Sequence, residues 1–404
     1  MVRFWLGILR DLYKVLLVVL IIEQIPGSDL LHDITRKGVI TVTVFIVVAK
    51  LIQPFVESPC GGSVRAPRRH KKTEGGKGSL LEWASAEMQG WRPAMEDATC
   101  INTSLPEPLT NQALFAVFDG HGGSQVSLIA SREFPKVLTA CALNLTNKAT
   151  EDGTAEAVAS SSSTDESDKL VTAQQDKDAE VPAQLTGKAL HLTMLTLDDF
   201  LRQSPYKSNA FNLMGSTAIV VLVEFDADGA ETSSRKPRLV TVANCGDSRA
   251  VLCRKGKAVE LSEDHKPELP SEEERIKKAG GHVAMIGPCY RVDGWGLNLS
   301  RALGDFHYKA RTDLPPEQQK VIAVPEIRTL QLTEDDEFLV LGCDGIFELN
   351  TSQTAVDIVR EGLQAGLTVE QVAEELVDRS CSSNLIQTRG KGGDNCSAIV
   401  VRFR

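Results

Sequence analysis

Acidic residues recur beside glycines or at the ends of apolar runs in this chain: Glu96-Asp97, Asp119-Gly120, Gly246-Asp247, Gly304-Asp305, Asp344-Gly345 and Gly393-Asp394. A carboxylate at a strand end is held rigidly while its oxygens face a cleft, and a neighbouring glycine lets the backbone approach closely. Carboxylates that converge in a folded protein repel one another unless a cation neutralises them. Oxygen donors without paired Cys or His suit hard ions, Mg²⁺ or Mn²⁺, rather than zinc. A single Asp-Gly is ordinary turn chemistry. Several in one region, each at the end of an apolar run, point to a metal centre.

The surrounding sequence has the patterns needed to position these acids. Residues 114–120, 216–225, 238–246, 249–256, 337–345 and 395–403 read as apolar strands broken by Gly and Asp turns. Residues 124–143 have helical periodicity, and 270–280 read as a short helix ended by Gly280-Gly281. Strands alternating with amphipathic helices from residue 80 onward describe one α+β domain.

Composition narrows the function classes. The chain has 404 residues and a formal net charge of −10, with 54 Asp+Glu against 44 Lys+Arg. That balance argues against nucleic acid as the main partner. The nine cysteines have no CxxC spacing and lie mostly in apolar runs, which fits reduced, buried thiols.

The first 56 residues differ from the rest. Residues 15–22 and 38–49 are unbroken apolar runs, the second extended past Lys50 to residue 56. Each falls short of the ~18 uncharged residues of a clean span, although snorkelling of Lys50 lengthens the second. A secretory signal, a buried helix pair and a membrane anchor compete, and the expectation is an anchor of one span or a hairpin. Residues 57–79 read as a basic, Gly-rich linker carrying Arg65, Arg68, Arg69, Lys71, Lys72 and Lys77. By the positive-inside rule that cluster puts the following domain on the cytosolic side; a soluble cytosolic or nuclear protein is the alternative. Residues 146–183 are polar, with nine acids against two lysines between Glu151 and Glu180, and read as a disordered acidic insert within the 80–404 domain.

One series of motifs is more specific than any of these patterns. GWRPAMEDA (90–98), FAVFDGHGG (115–123), GSTA (215–218), ANCGDSRAV (243–251), LNLSRALGD (297–305), CDGIFE (343–348) and GGDNCSAIVV (392–401) resemble the metal-dependent serine/threonine protein phosphatases, the PPM or type-2C family. The resemblance runs from about Leu80 to Phe403 in the family's order and spacing. It implies a four-layer αββα sandwich, two antiparallel sheets flanked by helices, with a binuclear Mg²⁺ or Mn²⁺ centre at one edge.

Carried over by position, Asp119 resembles the ligand bridging both metals, and Gly120 lends its carbonyl to one. Asp344 and Asp394 resemble the remaining carboxylate ligands. Glu96 matches the acid that holds metal-bound water, Asp97 its neighbour behind the ligands, and Asp247 a contributor to a weaker third metal site. Arg92 resembles the residue that grips the substrate phosphate, and His121 is placed to protonate the leaving seryl or threonyl oxygen. The implied reaction is hydrolysis of phosphoserine and phosphothreonine by a metal-bridging hydroxide. The family usually has Asp where this chain has Glu348, which either serves the third site through water or caps the following helix. The alternative function is a catalytically weak or dead member that binds phosphoproteins as a regulator; a metal-dependent nuclease would require a basic groove. The catalytic domain is expected to be monomeric.

Overall fold

The computed structural model describes residues 66–159, 177–203, 209–226, 236–294 and 296–404. The expected anchor at 1–56 lies outside them. Residues Ala66–Arg404 form one compact unit.

Two antiparallel sheets make its centre. The first has the order β1 (Arg68–Lys77), β2 (Leu81–Gly90), β16 (Cys396–Phe403), β15 (Asp336–Gly342), β9 (Arg249–Arg254) and β10 (Lys257–Glu260). The second runs β14 (Glu326–Gln331), β8 (Pro237–Cys245), β7 (Ala218–Phe225), β4 (Gln112–Phe118) and β3 (Ala98–Asn102). Helices α1 (Gln125–Ala159) and α2 (Lys177–Gln203) cover the second sheet. Helices α5 (Ser352–Gln364) and α6 (Val369–Ser380) cover the first. The short α3 (Pro270–Lys278) and α4 (Asp344–Phe347) lie in connections. Two small ladders complete the fold: β13 (Leu303–Gly304), β6 (Gly215–Ser216) and β5 (Gly120–His121) in one, β11 (Val283–Ile286) and β12 (Cys289–Val292) in the other.

The alternation along β4 shows why the layers form. Ala113, Phe115 and Val117 face the other sheet, whereas Leu114, Ala116 and Phe118 face the helices, and all six are fully buried. A strand buried on both faces reads as a continuous apolar run. The second sheet therefore has helices on one side and the first sheet on the other. This is the αββα sandwich.

Two expectations are corrected. The basic segment read as a linker is in part a strand, because β1 pairs antiparallel with β2 from Arg68↔Gly90 to Lys77↔Glu82. Its charges are matched across the edge. Lys71 pairs with Asp378, Lys72 lies 3.4 Å from Glu87, and Thr73 Oγ1 donates to Glu374 Oε1 at 2.8 Å. Lysine is common on exposed sheet edges, where it discourages pairing with other chains, so this strand lacks an apolar alternation to read. Secondly, helix replaces part of the expected disordered insert: α1 continues to Ala159 and α2 begins at Lys177. Residues 160–176 lie outside the described residues.

Candidate active site

Strands from both sheets deliver acids to one edge. Asp119 follows β4, Asp247 follows β8 after Gly246, Asp344 follows β15 after Cys343, and Asp394 precedes β16. Backbone pairing fixes the first: Thr217 N–H donates to the Asp119 carbonyl at 2.9 Å, and Asp119 N–H donates to Thr217 Oγ1 at 3.2 Å. Gly120 comes so near the Glu96 carbonyl that a Cβ would overlap its oxygen. Only glycine allows this approach.

The charges are unevenly compensated. Asp394 Oδ2 is held by Arg92 Nη2 at 2.5 Å, and Asp247 Oδ2 by Lys266 Nζ at 2.5 Å. Asp97, Asp119 and Asp344 form no ion pair among the described residues. Burial first, and then the neighbouring carboxylates, push Asp119 and Asp344 well above the usual carboxylate range. Burial also raises Asp97 to about 7 against the hydrogen bond from Ser397 Oγ at 2.8 Å. Asp344 Oδ1 is buried without a hydrogen-bond partner. Such a cluster is stable as carboxylates only beside a cation.

The donors are all oxygen, which fits a hard divalent ion. The nearby thiols do not compete. Cys343 and Cys396 are buried, contact backbone carbonyls, and have pKa values pushed well up by burial. Among the described residues no three His, Cys, Asp or Glu side chains converge closely enough to form a finished cage. Asp344 Oδ1 and Asp305 Oδ1 are the two carboxylate oxygens of aspartates buried without a hydrogen-bond partner among the described residues.

The remaining expected residues surround this cluster. Glu96 is partly buried, and burial raises its pKa despite Arg92 and His121. Its N–H donates to Asn395 Oδ1 at 2.8 Å. Burial alone would lower the pKa of His121, but the charge and hydrogen bond of Asp305 outweigh it and hold the value above the ordinary one. Glu348 does not cap the following helix. Thr351 caps α5, and Glu348 Oε2 accepts from Gly392 N–H at 2.7 Å, holding the loop that carries Asp394.

Several supporting residues were not singled out from sequence. Asn395 Nδ2 also donates to the carbonyls of Gln89 and Ala94 at 2.8 and 3.0 Å, tying its own loop to the end of β2 and the connection after it. Burial beside Arg301 lowers His265 to about 3, so its neutral Nδ1 accepts from Gly246 N–H at 3.1 Å and steadies the Asp247 turn. Asn395 and Ser397 stand inside GGDNCS and were available to motif reading; Lys266 and His265 had no local signal.

Comparison with known proteins agrees with this arrangement. Residues 81–388 match the family model Protein phosphatase 2C. "Probable protein phosphatase 2C 58" of Oryza sativa subsp. japonica is 33% identical over 358 residues, covering 85% of this chain and 89% of that protein. "Probable protein phosphatase 2C 60" of Arabidopsis thaliana is 35% identical over 350 residues, covering 84% and 90%. Among solved structures, a phosphatase from a pathogenic strain of Toxoplasma gondii aligns with a TM-score of 0.58 at 27% identity, covering 83% of this chain and 96% of that one. The serine-threonine phosphatase 2C from Toxoplasma gondii shares the fold, with a TM-score of 0.61 at 20% identity over 83% and 100% of the two chains. The fold, the acidic edge and these matches lead to one conclusion: the chain belongs to the protein phosphatase 2C family, the metal-dependent serine/threonine protein phosphatases.

Proposed function

We propose that this enzyme hydrolyses phosphoserine and phosphothreonine in proteins, with two Mg²⁺ or Mn²⁺ ions held by Asp119, the Gly120 carbonyl, Asp344 and Asp394. The observation that carries the reading is the buried acidic cluster, in which, among the described residues, Asp344 Oδ1 has no hydrogen-bond partner and neither Asp119 nor Asp344 forms a direct ion pair, the Lys266 charge being outweighed at Asp344 by burial and the neighbouring carboxylates. Bound there, hard divalent ions supply Lewis-acid stabilisation of the phosphoryl oxygens and make water acidic enough to attack near neutral pH.

The protein's own groups supply the rest. Arg92, with 42% of its side chain exposed, presents a planar fork suited to bidentate contact with phosphate. Glu96 accepts a hydrogen bond from water in the cleft and so orients it. Asp97 and Ser397 brace Asp119 from the interior. His121 gives a proton to the leaving seryl or threonyl oxygen. Attack by water needs no enzyme nucleophile, and the raised pKa values of the neighbouring thiols support that. A purely phosphoprotein-binding role is not favoured, because every acid of the cluster is present.

Location is a second part of the proposal. Two apolar runs within residues 1–56, followed by six basic residues, support a membrane anchor with the phosphatase domain in the cytosol. The catalytic reading is tested by EDTA, expected to abolish turnover of a phosphothreonine peptide, with Mn²⁺ or Mg²⁺ restoring it. Full activity in EDTA would refute it.

A further inference from the structure

The ladder β13-β6-β5 brings a buried carboxylate onto the histidine of the site. His121 and Gly304 pair with Gly215 from opposite sides. A Cβ on Gly215 would overlap the Asp305 carboxylate and come within 2.5 Å of His121 Nε2. Across this gap Asp305 Oδ2 and His121 Nε2 meet at 2.6 Å. Asp305 is 1% exposed and adopts a left-handed backbone, φ 52° and ψ 43°. A non-glycine residue in that region is uncommon and persists only where its surroundings enforce it.

Those surroundings are specific. Asp305 N–H donates to the Met214 carbonyl at 2.8 Å. Behind the turn, Asp198 Oδ1 accepts from Gly304 N–H at 2.8 Å and from Lys309 Nζ at 2.7 Å. Lys309 Nζ also donates to the Ala302 carbonyl at 2.8 Å. A buried ion pair thus clamps the turn that presents Asp305.

We infer that Asp305 is the positioning residue of His121, binding its Nε2–H so that Nδ1 is the nitrogen that protonates the leaving oxygen. The inference rests on the reading of His121 as the proton donor. The 2.6 Å contact carries one hydrogen, which we assign to Nε2, with Asp305 Oδ2 accepting it. Among the described residues none hydrogen-bonds Nδ1. An imidazolium carries a hydrogen on each nitrogen, one for Asp305 and one for the substrate. In the step, the oxygen of water bonds to phosphorus and the bond from phosphorus to the seryl or threonyl oxygen breaks. Its electron pair goes to that oxygen, which takes the Nδ1 proton. The attacking water gives its own proton to solvent, from which Nδ1 is recharged. Nε2 keeps its hydrogen, bound to Asp305 Oδ2, throughout.

The test compares a phosphothreonine peptide, whose alkoxide leaving group needs a proton, with p-nitrophenyl phosphate, whose leaving group does not. Each variant is assayed with Mn²⁺ on both substrates, and the ratio of the two kcat values is read because it does not depend on the fraction folded. His121→Gln is expected to lower the ratio by ~10²–10⁴-fold, the usual cost of losing a general acid. Asp305→Gly removes the carboxylate while suiting the left-handed backbone, and is expected to lower the ratio at least ~10-fold. Added to His121→Gln, it should lower the ratio no further. Asp305→Asn, which still offers Nε2 an acceptor, should restore part of the ratio. Equal loss on both substrates in Asp305→Gly, with His121→Gln still selective, would overturn the assignment of Asp305 alone. An unchanged ratio in His121→Gln would instead overturn the proton-donor reading beneath it.

Discussion

Asp344, a proposed metal ligand, carries a cost in stability. Its buried carboxylate is pushed well above its ordinary pKa by burial and by Asp247 and Asp394, with one oxygen unbonded. A carboxylate with a raised folded pKa destabilises the fold at every pH above its unfolded value, because the unfolded chain ionises more readily. Asp344→Asn is therefore expected to melt at a higher temperature than the wild type in EDTA at pH 8, with the gain disappearing towards pH 4. The same substitution should remove the increase in melting temperature that Mn²⁺ gives the wild type. Activity should fall by more than the ~10–100-fold typical of groups supporting a metal ligand. Differential scanning fluorimetry checks the first two outcomes, and peptide turnover the third. A lower melting temperature in EDTA would show that the acid is not a source of repulsion. Asp119→Ala should likewise abolish turnover while leaving the far-UV circular dichroism spectrum unchanged.

At the scale of elements, a buried ionic cluster joins α3 to the segment leading into β13. Glu272, on α3, is bound by Arg275 and Arg301 at 2.7 Å each and by Ser300 Oγ at 2.6 Å. Burial alone would raise its pKa, but the Arg301 hydrogen bond and the two guanidinium charges bring it down to about 2 from 4.5. A depressed folded pKa stabilises the fold above the unfolded value, and that stability is lost as pH falls towards 2. Glu272→Gln should cost on the order of 3 kcal/mol at pH 7, and less than half as much at pH 3, in urea unfolding. A pH-independent difference would mean that lost packing, and not charge, is responsible. The edge strand β1 makes a second case. Its lysines meet Asp378 and Glu87 and Thr73 bonds Glu374, so removing residues 66–77 exposes the β2 edge and Trp83, which packs against Gly76. The shortened protein should aggregate more readily, as measured by light scattering at the same concentration.

The molecule as a whole places its acids where two sheets end together. No described helix is long and apolar enough to cross a membrane, and the proposed anchor precedes the described residues. If residues 1–56 hold the protein on a membrane, alkaline carbonate should leave it in the pellet, and protease should digest the phosphatase domain outside sealed microsomal vesicles. Release by carbonate would mean that no span exists. Protection of the domain would mean that the orientation is reversed.

What the sequence determined by itself was local. Apolar runs ending in Asp or Gly identify strand ends, and strand ends carry Asp119, Asp344 and Asp394, so these acids were legible as candidate metal ligands, whereas the αββα architecture was legible only through the family resemblance that the motif order carries. Residues 68–77 were not, because an edge strand paired through charges has the composition of a linker. The tertiary structure alone decided which side chain meets which. His121 and Asp305 are 184 positions apart, and Asp97 and Ser397 are 300 apart. Lys266 reaches Asp247 and Glu348 reaches Gly392 only once the loops at the acidic edge have closed. Sequence patterns report backbone conformation and burial over a few residues. Sheet order makes distant segments neighbours, and the absent side chain of Gly215, between β13 and β5, leaves the space in which Asp305 and His121 meet.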